Sequence, residues 1–412
     1  MGPPGPEPDR CGPGGHPAGS IVYAVAHGSN VVDVDGNRYV DLAAGFGALL
    51  LGHGHPAISQ ALHGQAGRLW QALGDVHPAD VKVALLERLA QLVGHPGALG
   101  ILGQSGADAV SAALKTAMLA TGKPGVIAFR GAYHGLSYGP LAACGLRSGY
   151  REPFAVQLNP EVHFVDYPDD ADRAVGALAA VKRELLGGRV GAVLVEPILG
   201  RGGCIVPPDD FMPELVHLAR SAGALVVADE IWTGLGRAGR WLYSSSDRVA
   251  ADLICLGKGL GGGLPISACV GTAAVMRAWC REPEVVHTST FAGAPLACAT
   301  ALATLDQIER DGLIERSARL GEEWRRELAR RLERHGGVTV RGAGLMLGVD
   351  LGQHGVSAAQ VAQALLGRGF ITSTGGGGRE VLVLTPALTV TEAQLEAFNV
   401  QLADLLDTGG RA

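Results

Sequence analysis

The chain has 412 residues, of which 62 are glycine, 47% are hydrophobic and 5% are aromatic, and it carries a net charge of −6. That length suffices for two domains sharing one large core, while the negative charge, with no basic run of five, argues against a nucleic-acid partner. No uninterrupted apolar run reaches the roughly 18 residues that a membrane span requires.

The opening segment, residues 1–20, is too rich in proline and glycine to fold alone and lacks the apolar stretch of a signal peptide. It is expected to form a flexible leader. Residues 21–42 alternate like short strands, and DVDGNRYVD (33–41) places an Asp-Gly turn between two of them. From about 60 to 295, helical patterns alternate with the apolar runs 125–130, 191–197, 224–229 and 252–257, which predicts a mostly parallel sheet covered by helices. After 295 come two long helical patterns, the strand-rich VTVRGAGLMLGVDLG, a further helix and EVLVLTP, an α+β segment. The expected division is a small α+β domain from 21–60 and 296–412, and a large α/β domain from 61–295. The seven cysteines are scattered without CxxC spacing, so they read as reduced thiols of a cytosolic protein and not as a disulfide framework or zinc site.

The chemistry concentrates at two points. Ala224–Ala228 is a buried-strand pattern that ends on Asp229, and open α/β sheets bind ligands at such strand ends. Downstream, Lys258 sits in CLGKGLGGGLPI, where the glycines let backbone approach a bound ring closely. Burial there would lower the amine's pKa and activate it as a nucleophile. A lysine that can form a Schiff base, paired with a carboxylate facing a pyridine nitrogen, is what pyridoxal 5'-phosphate (PLP) chemistry needs. A phosphate needs a helix start, and Ser105 and Gly106 precede a helical pattern so that the amides of Gly106 and Ala107 can face one.

Through DEIWTGLGRAG and DLICLGKGLGGGLPI the chain resembles the class III aminotransferases, a branch of the fold type I PLP enzymes, from about residue 20 to the end. The resemblance implies a seven-stranded, mostly parallel sheet and a catalytic pair of Lys258, as Schiff-base lysine, and Asp229, as partner of the ring nitrogen. It makes Ser105, Gly106 and Ala107 a phosphate cradle. Tyr133 becomes a ring that stacks on the pyridine, with His134 beside it, and Glu196 lies near cofactor and substrate. Thr290, which also reads as an N-cap for a helix beginning near Ala292, would reach the phosphate of a neighbouring subunit, giving a homodimer with shared sites. Phe46 matches an aromatic substrate wall.

Four positions depart from the family pattern. Trp232 stands where many members carry a glutamine facing the cofactor, and is expected to narrow the site. Leu136 and Val383 replace two arginines that handle substrate carboxylates, whereas Arg201 replaces a glutamate and is expected to contact a carboxylate from the opposite side. GLGRAG (234–239) has the letters of a dinucleotide fingerprint without its strand-to-helix context. HGH (53–55) looks like a metal pair, but alternate residues on a glycine-rich turn point apart, and no metal is expected. The expected protein is a cytosolic PLP-dependent aminotransferase moving an amino group from an amine or ω-amino acid to a 2-keto acid. A racemase or epimerase, aminomutase or decarboxylase using the same cofactor is the alternative.

Overall fold

A computed structural model describes residues 20–95, 97–245, 251–281 and 284–409. The predicted leader, apart from Ser20, and Cys11 within it lie outside the described residues.

Seven strands form the central sheet in the order Leu99–Gly103, Ser267–Gly271, Leu253–Leu256, Leu225–Asp229, Val190–Val195, Gly125–Phe129 and Val162–Val165. Ser267–Gly271 runs antiparallel to both neighbours and every other pairing is parallel, as the alternation of helical and apolar runs predicts. Every residue of the strands Gly125–Phe129, Val190–Val195 and Leu253–Leu256 is buried, because helices cover both faces. Side chains alternate between the layers. Val126, Ala128, Leu194, Val227 and Cys255 pack under the helix Gly106–Thr121, while Ile127, Phe129, Val193, Val226 and Ile254 join the larger core on the other face. Each fully buried aliphatic or Phe side chain contributes roughly 1.5–3 kcal/mol.

Two four-stranded sheets flank this core. One combines Tyr23–His27, Asn30–Asp33, Arg38–Asp41 and Phe370–Ile371; the other combines Thr339–Ala343, Met346–Asp350, Val381–Leu384 and Ser373–Gly375. The predicted hairpin forms between Asn30–Asp33 and Arg38–Asp41. Its turn has Gly36 at φ +85°, and the Asp33 carboxylate accepts from Asn37 N (2.8 Å) and Tyr39 OH (2.9 Å). Arg38–Asp41 pairs in parallel with Phe370–Ile371, so the two ends of the chain share one sheet.

GLGRAG begins no helix and is a buried turn. Its Arg237 side chain is fully buried and donates to the carbonyls of Leu345 (2.9 Å) and Pro386. The segment therefore joins the central sheet to the C-terminal one. HGH is equally structural: His53 pairs with Asp41 (2.9 Å), and His55 accepts from Ala57 N as the N-cap of the helix Pro56–Ala66.

Candidate active site

The predicted site residues follow the carboxyl ends of strands that run in one direction. Asp229 ends Leu225–Asp229, Glu196 follows Val190–Val195, Tyr133 and His134 follow Gly125–Phe129, Gly106 and Ala107 follow Leu99–Gly103, and Lys258 follows Leu253–Leu256. Parallel register brings these ends together. Gly106, Ala107, Tyr133, His134, Glu196, Asp229, Trp232 and Lys258 all line one cavity of ≈ 220 Å³, joined by Gly135 and Ile231, which the sequence did not single out.

Lys258 has φ +33°, a left-handed conformation that non-glycine residues adopt at a cost and that recurs at functional sites. It opens the 3-10 turn Lys258–Gly261. The residue is half-buried, and its ammonium lies 4.3 Å from the centre of the Trp232 ring. Burial pulls the amine pKa down to about 8, although Asp229 and Glu196 oppose the shift; Arg201 adds to it.

Asp229 is buried. Its Oδ2 lies 2.8 Å from His134 Nδ1, and its Oδ1 accepts from Ile231 N at 3.1 Å. Glu196, also buried, accepts from Tyr133 N (2.7 Å) and Gly200 N (2.9 Å). Desolvation raises its pKa to about 7; the imidazole of His134 opposes this and Asp229 adds to it. The cavity thus sets an amine of lowered basicity beside two buried carboxylates.

Trp232 is nearly buried between two glycines. A Cβ on Gly47 would come within 2.3 Å of its indole Nε1, and one on Gly200 within 2.4 Å of its Cε3. No larger residue fits at either point without moving the ring. Val383 is buried in one cluster with Trp232, Cys204, Met346 and Val381, so the position left without an arginine is apolar core and does not line this cavity. Leu136 is largely exposed.

Ser105 stands outside the cavity as the N-cap of the helix Gly106–Thr121, in a capping box with Asp108. The amides of Gly106 and Ala107 remain unused at the helix start, inside the cavity. Thr290 is exposed and outside the cavity, and its carbonyl accepts from Gln71 Nε2 at 3.0 Å. It caps no helix: the helix expected near Ala292 begins at Pro295, behind Ala294. Proline, with no N–H to lose, suits the first turn.

A second cavity of ≈ 530 Å³ holds Phe46 and Arg201, together with Arg147, which sequence reasoning missed. Phe46 is 65% exposed at φ +58°. The Arg201 guanidinium lies 4.6 Å from the centre of the Tyr133 ring, so Arg201 and Tyr133 together form the partition between the cavities. Arg201 lines this cavity, and Val383 lines neither of the two.

The smaller cavity offers what a phosphorylated pyridine aldehyde requires. It has free amides at a helix start for an anion, a buried carboxylate for a ring nitrogen and an amine of lowered basicity. Two buried polar atoms also await a partner, His134 Nε2 and Trp232 Nε1. Among the described residues no group of three or more His, Cys, Asp or Glu is placed to hold a metal ion.

Fold and site together define a fold type I transferase that handles amines. Residues 13–406 match the class-III aminotransferase family, and the chain belongs to it. It is 38% identical over 384 residues to an acetylornithine aminotransferase of Streptomyces coelicolor, covering 92% of this chain and 89% of that one. Among solved structures it resembles the ornithine aminotransferase of Toxoplasma gondii, crystallised with PLP at partial occupancy (TM-score 0.86, 31% identity, 95% and 92% covered). A PLP-bound amine transaminase from an uncultivated Pseudomonas species is similar too (TM-score 0.86, 27% identity, 93% and 94% covered).

Proposed function

We propose that this chain is a PLP-dependent aminotransferase that moves an amino group from an amine or ω-amino acid to a 2-keto acid, with Lys258 as the lysine that binds the cofactor. One observation carries the reading: an amine of pKa about 8 shares a small cavity with the buried Asp229–His134 pair. PLP, when bound, acts as an electron sink for the substrate carbon. Asp229 would face its ring nitrogen as a carboxylate, the amides of Gly106 and Ala107 would hold its phosphate, and Tyr133 would pack against its ring. Lys258 would move the proton to and from the reacting carbon, a role suited to an amine of lowered basicity. Glu196 ties together the backbone of Tyr133, which lines the cavity, and of Gly200, which packs on Trp232.

The same reading includes a homodimer with shared sites. Trp70, Leu73 and Val76 are each more than two-thirds exposed, and Gln71 between them bonds to Thr290, the residue proposed to reach the partner's phosphate. It also includes a small domain built from 21–60 and 296–412, in keeping with the shared sheet of the chain ends, and a large domain from 61–295. A cytoplasmic location accords with the six free cysteines among the described residues. No helix among the described residues is long and apolar enough to cross a membrane.

The test is an absorbance spectrum of the purified protein before and after adding amine donors without acceptor. A visible cofactor band that shifts to the near ultraviolet with donor, and is absent in Lys258→Ala, supports the reading. A band that never converts favours a racemase, mutase or decarboxylase, and no band in the wild type overturns the cofactor assignment.

A further inference from the structure

Four consecutive residues, Ala44 to Gly47, have positive φ: +44°, +61°, +58° and +82°. Glycine takes that conformation freely, whereas alanine and phenylalanine adopt it at a steric cost. Burial does not offset the cost at Phe46, whose side chain is largely exposed. Residues that stay strained without such an offset cluster at functional sites. The turn serves both cavities. Ala43, Gly45 and Phe46 line the one of ≈ 530 Å³, and Gly47 closes against the indole of Trp232, which lines the one holding Lys258.

One buried carboxylate holds the turn. Asp41 Oδ1 accepts from Ala43 N (2.9 Å) and Ala44 N (2.8 Å), and its Oδ2 lies 2.9 Å from His53 Nε2. The two amides flank the point where φ changes sign, from −105° at Ala43 to +44° at Ala44. His53 is itself fixed, because its N–H and its carbonyl both bond to the backbone of Gly28 at 2.8 Å. Thr385 donates from its hydroxyl to the Ala43 carbonyl (3.2 Å) and from its N–H to the Leu42 carbonyl (2.7 Å). The Asp41 side chain is buried, so removing the acceptor strands two amides away from water.

We propose that Asp41 and His53 are positioning residues for the donor: they hold Ala44–Gly47 left-handed, and through it they fix the Phe46 ring in the wall of the wider cavity and the backbone of Gly47 against Trp232. The pair then sets how much of the wider cavity a donor can fill. Neither Asp41 nor His53 lines either cavity, so both act through the turn. The proposal rests on the aminotransferase reading and adds to it two residues outside the pocket walls.

The test compares 4-phenylbutylamine with butylamine, which has the same amine and chain but no ring, in the holoenzyme. Asp41→Ala frees the turn and lets the Phe46 ring leave the wall, so the ratio of kcat/KM for the larger amine to that for the smaller is expected to rise by about fivefold or more. Phe46→Ala should raise it to a similar extent and the double variant no further, because both changes remove one interaction. Asp41→Asn keeps an acceptor for the two amides and should stay near wild type. A general loss of structure lowers both rates together and leaves the ratio unmoved. An unmoved ratio in Asp41→Ala, or a double variant whose effects add, overturns the proposal. Should Asp41→Ala fail to fold, His53→Ala, which removes one of the three bonds to the carboxylate, takes its place with the same outcomes. A second measurement needs no turnover. With 4-fluorophenylalanine in place of Phe46, the fluorine resonance is expected to move toward that of the unfolded chain in Asp41→Ala and to hold its position in Asp41→Asn; an unmoved resonance in Asp41→Ala overturns the positioning. If wild type moves no amino group from either amine, the aminotransferase reading fails while the fluorine spectrum still decides whether Asp41 holds Phe46.

Discussion

Asp229 Oδ2 lies 2.8 Å from His134 Nδ1 with both side chains buried, and the other nitrogen of that imidazole has no partner among the described residues. The histidine holds the carboxylate in place from one side and leaves Oδ1 to the Ile231 amide. Asp229→Asn keeps the shape and removes the charge. Its donor half-reaction is expected to slow by roughly 100-fold or more, while the thermal midpoint of the cofactor-free protein changes little. Stopped-flow absorbance and calorimetry measure the two; equal loss of stability and rate would make the pair merely structural.

Lys258 in the cofactor-free protein has its pKa lowered from the ordinary 10.5 to about 8. Between those values the unfolded chain binds a proton that the folded chain does not, so stability rises with pH across this window and is lowest below pH 8. Lys258→Met removes that dependence. At pH 7 it should be more stable than wild type by on the order of 1–3 kcal/mol, discounted for partial exposure, with the difference shrinking towards pH 10. Urea unfolding of both cofactor-free proteins at several pH values reads this directly.

Gly200→Ala places a methyl 2.4 Å from Trp232 Cε3. The indole, which contacts the Lys258 ammonium, must move, so tryptophan fluorescence should change and stability should fall by about 1–3 kcal/mol. An unchanged emission spectrum and midpoint would show that the ring is not held between Gly47 and Gly200.

Trp70 and Leu73 are 68% and 69% exposed, on the segment that contacts Thr290 through Gln71. If the chain forms the proposed homodimer through this segment, Leu73→Asp converts it to a monomer in sedimentation velocity and weakens retention of PLP, because the proposed site draws on both subunits. A dimer that survives this change places the interface elsewhere.

The strands read most directly from sequence are those whose residues are apolar throughout, such as Val190–Val195 and Leu253–Leu256, because burial on both faces leaves no polar alternation. Three others gave no such signal. Leu99–Gly103 and Ser267–Gly271 are glycine-bearing and small, and they meet closely: a Cβ on Gly103 would sit 2.8 Å from Ser267 Oγ. Val162–Val165 is a four-residue edge strand. Lys258, Asp229 and Glu196 were legible for the same local reason, since each follows an apolar run that ends abruptly on a charge. Arg147 was not, because a lone arginine in a loop has no pattern around it.

The sequence alone determined where the chemistry falls along the chain. Strand ends and glycine turns are written in consecutive residues, and the carboxyl ends of parallel strands meet once the sheet forms. Only the tertiary structure decided which charges face one another. Arg147 reaches Gly376 across 229 residues of sequence, and Trp232 lies between Gly47 and Gly200, which belong to different segments. Such contacts depend on how distant segments close against each other in three dimensions, and no local periodicity encodes that closure.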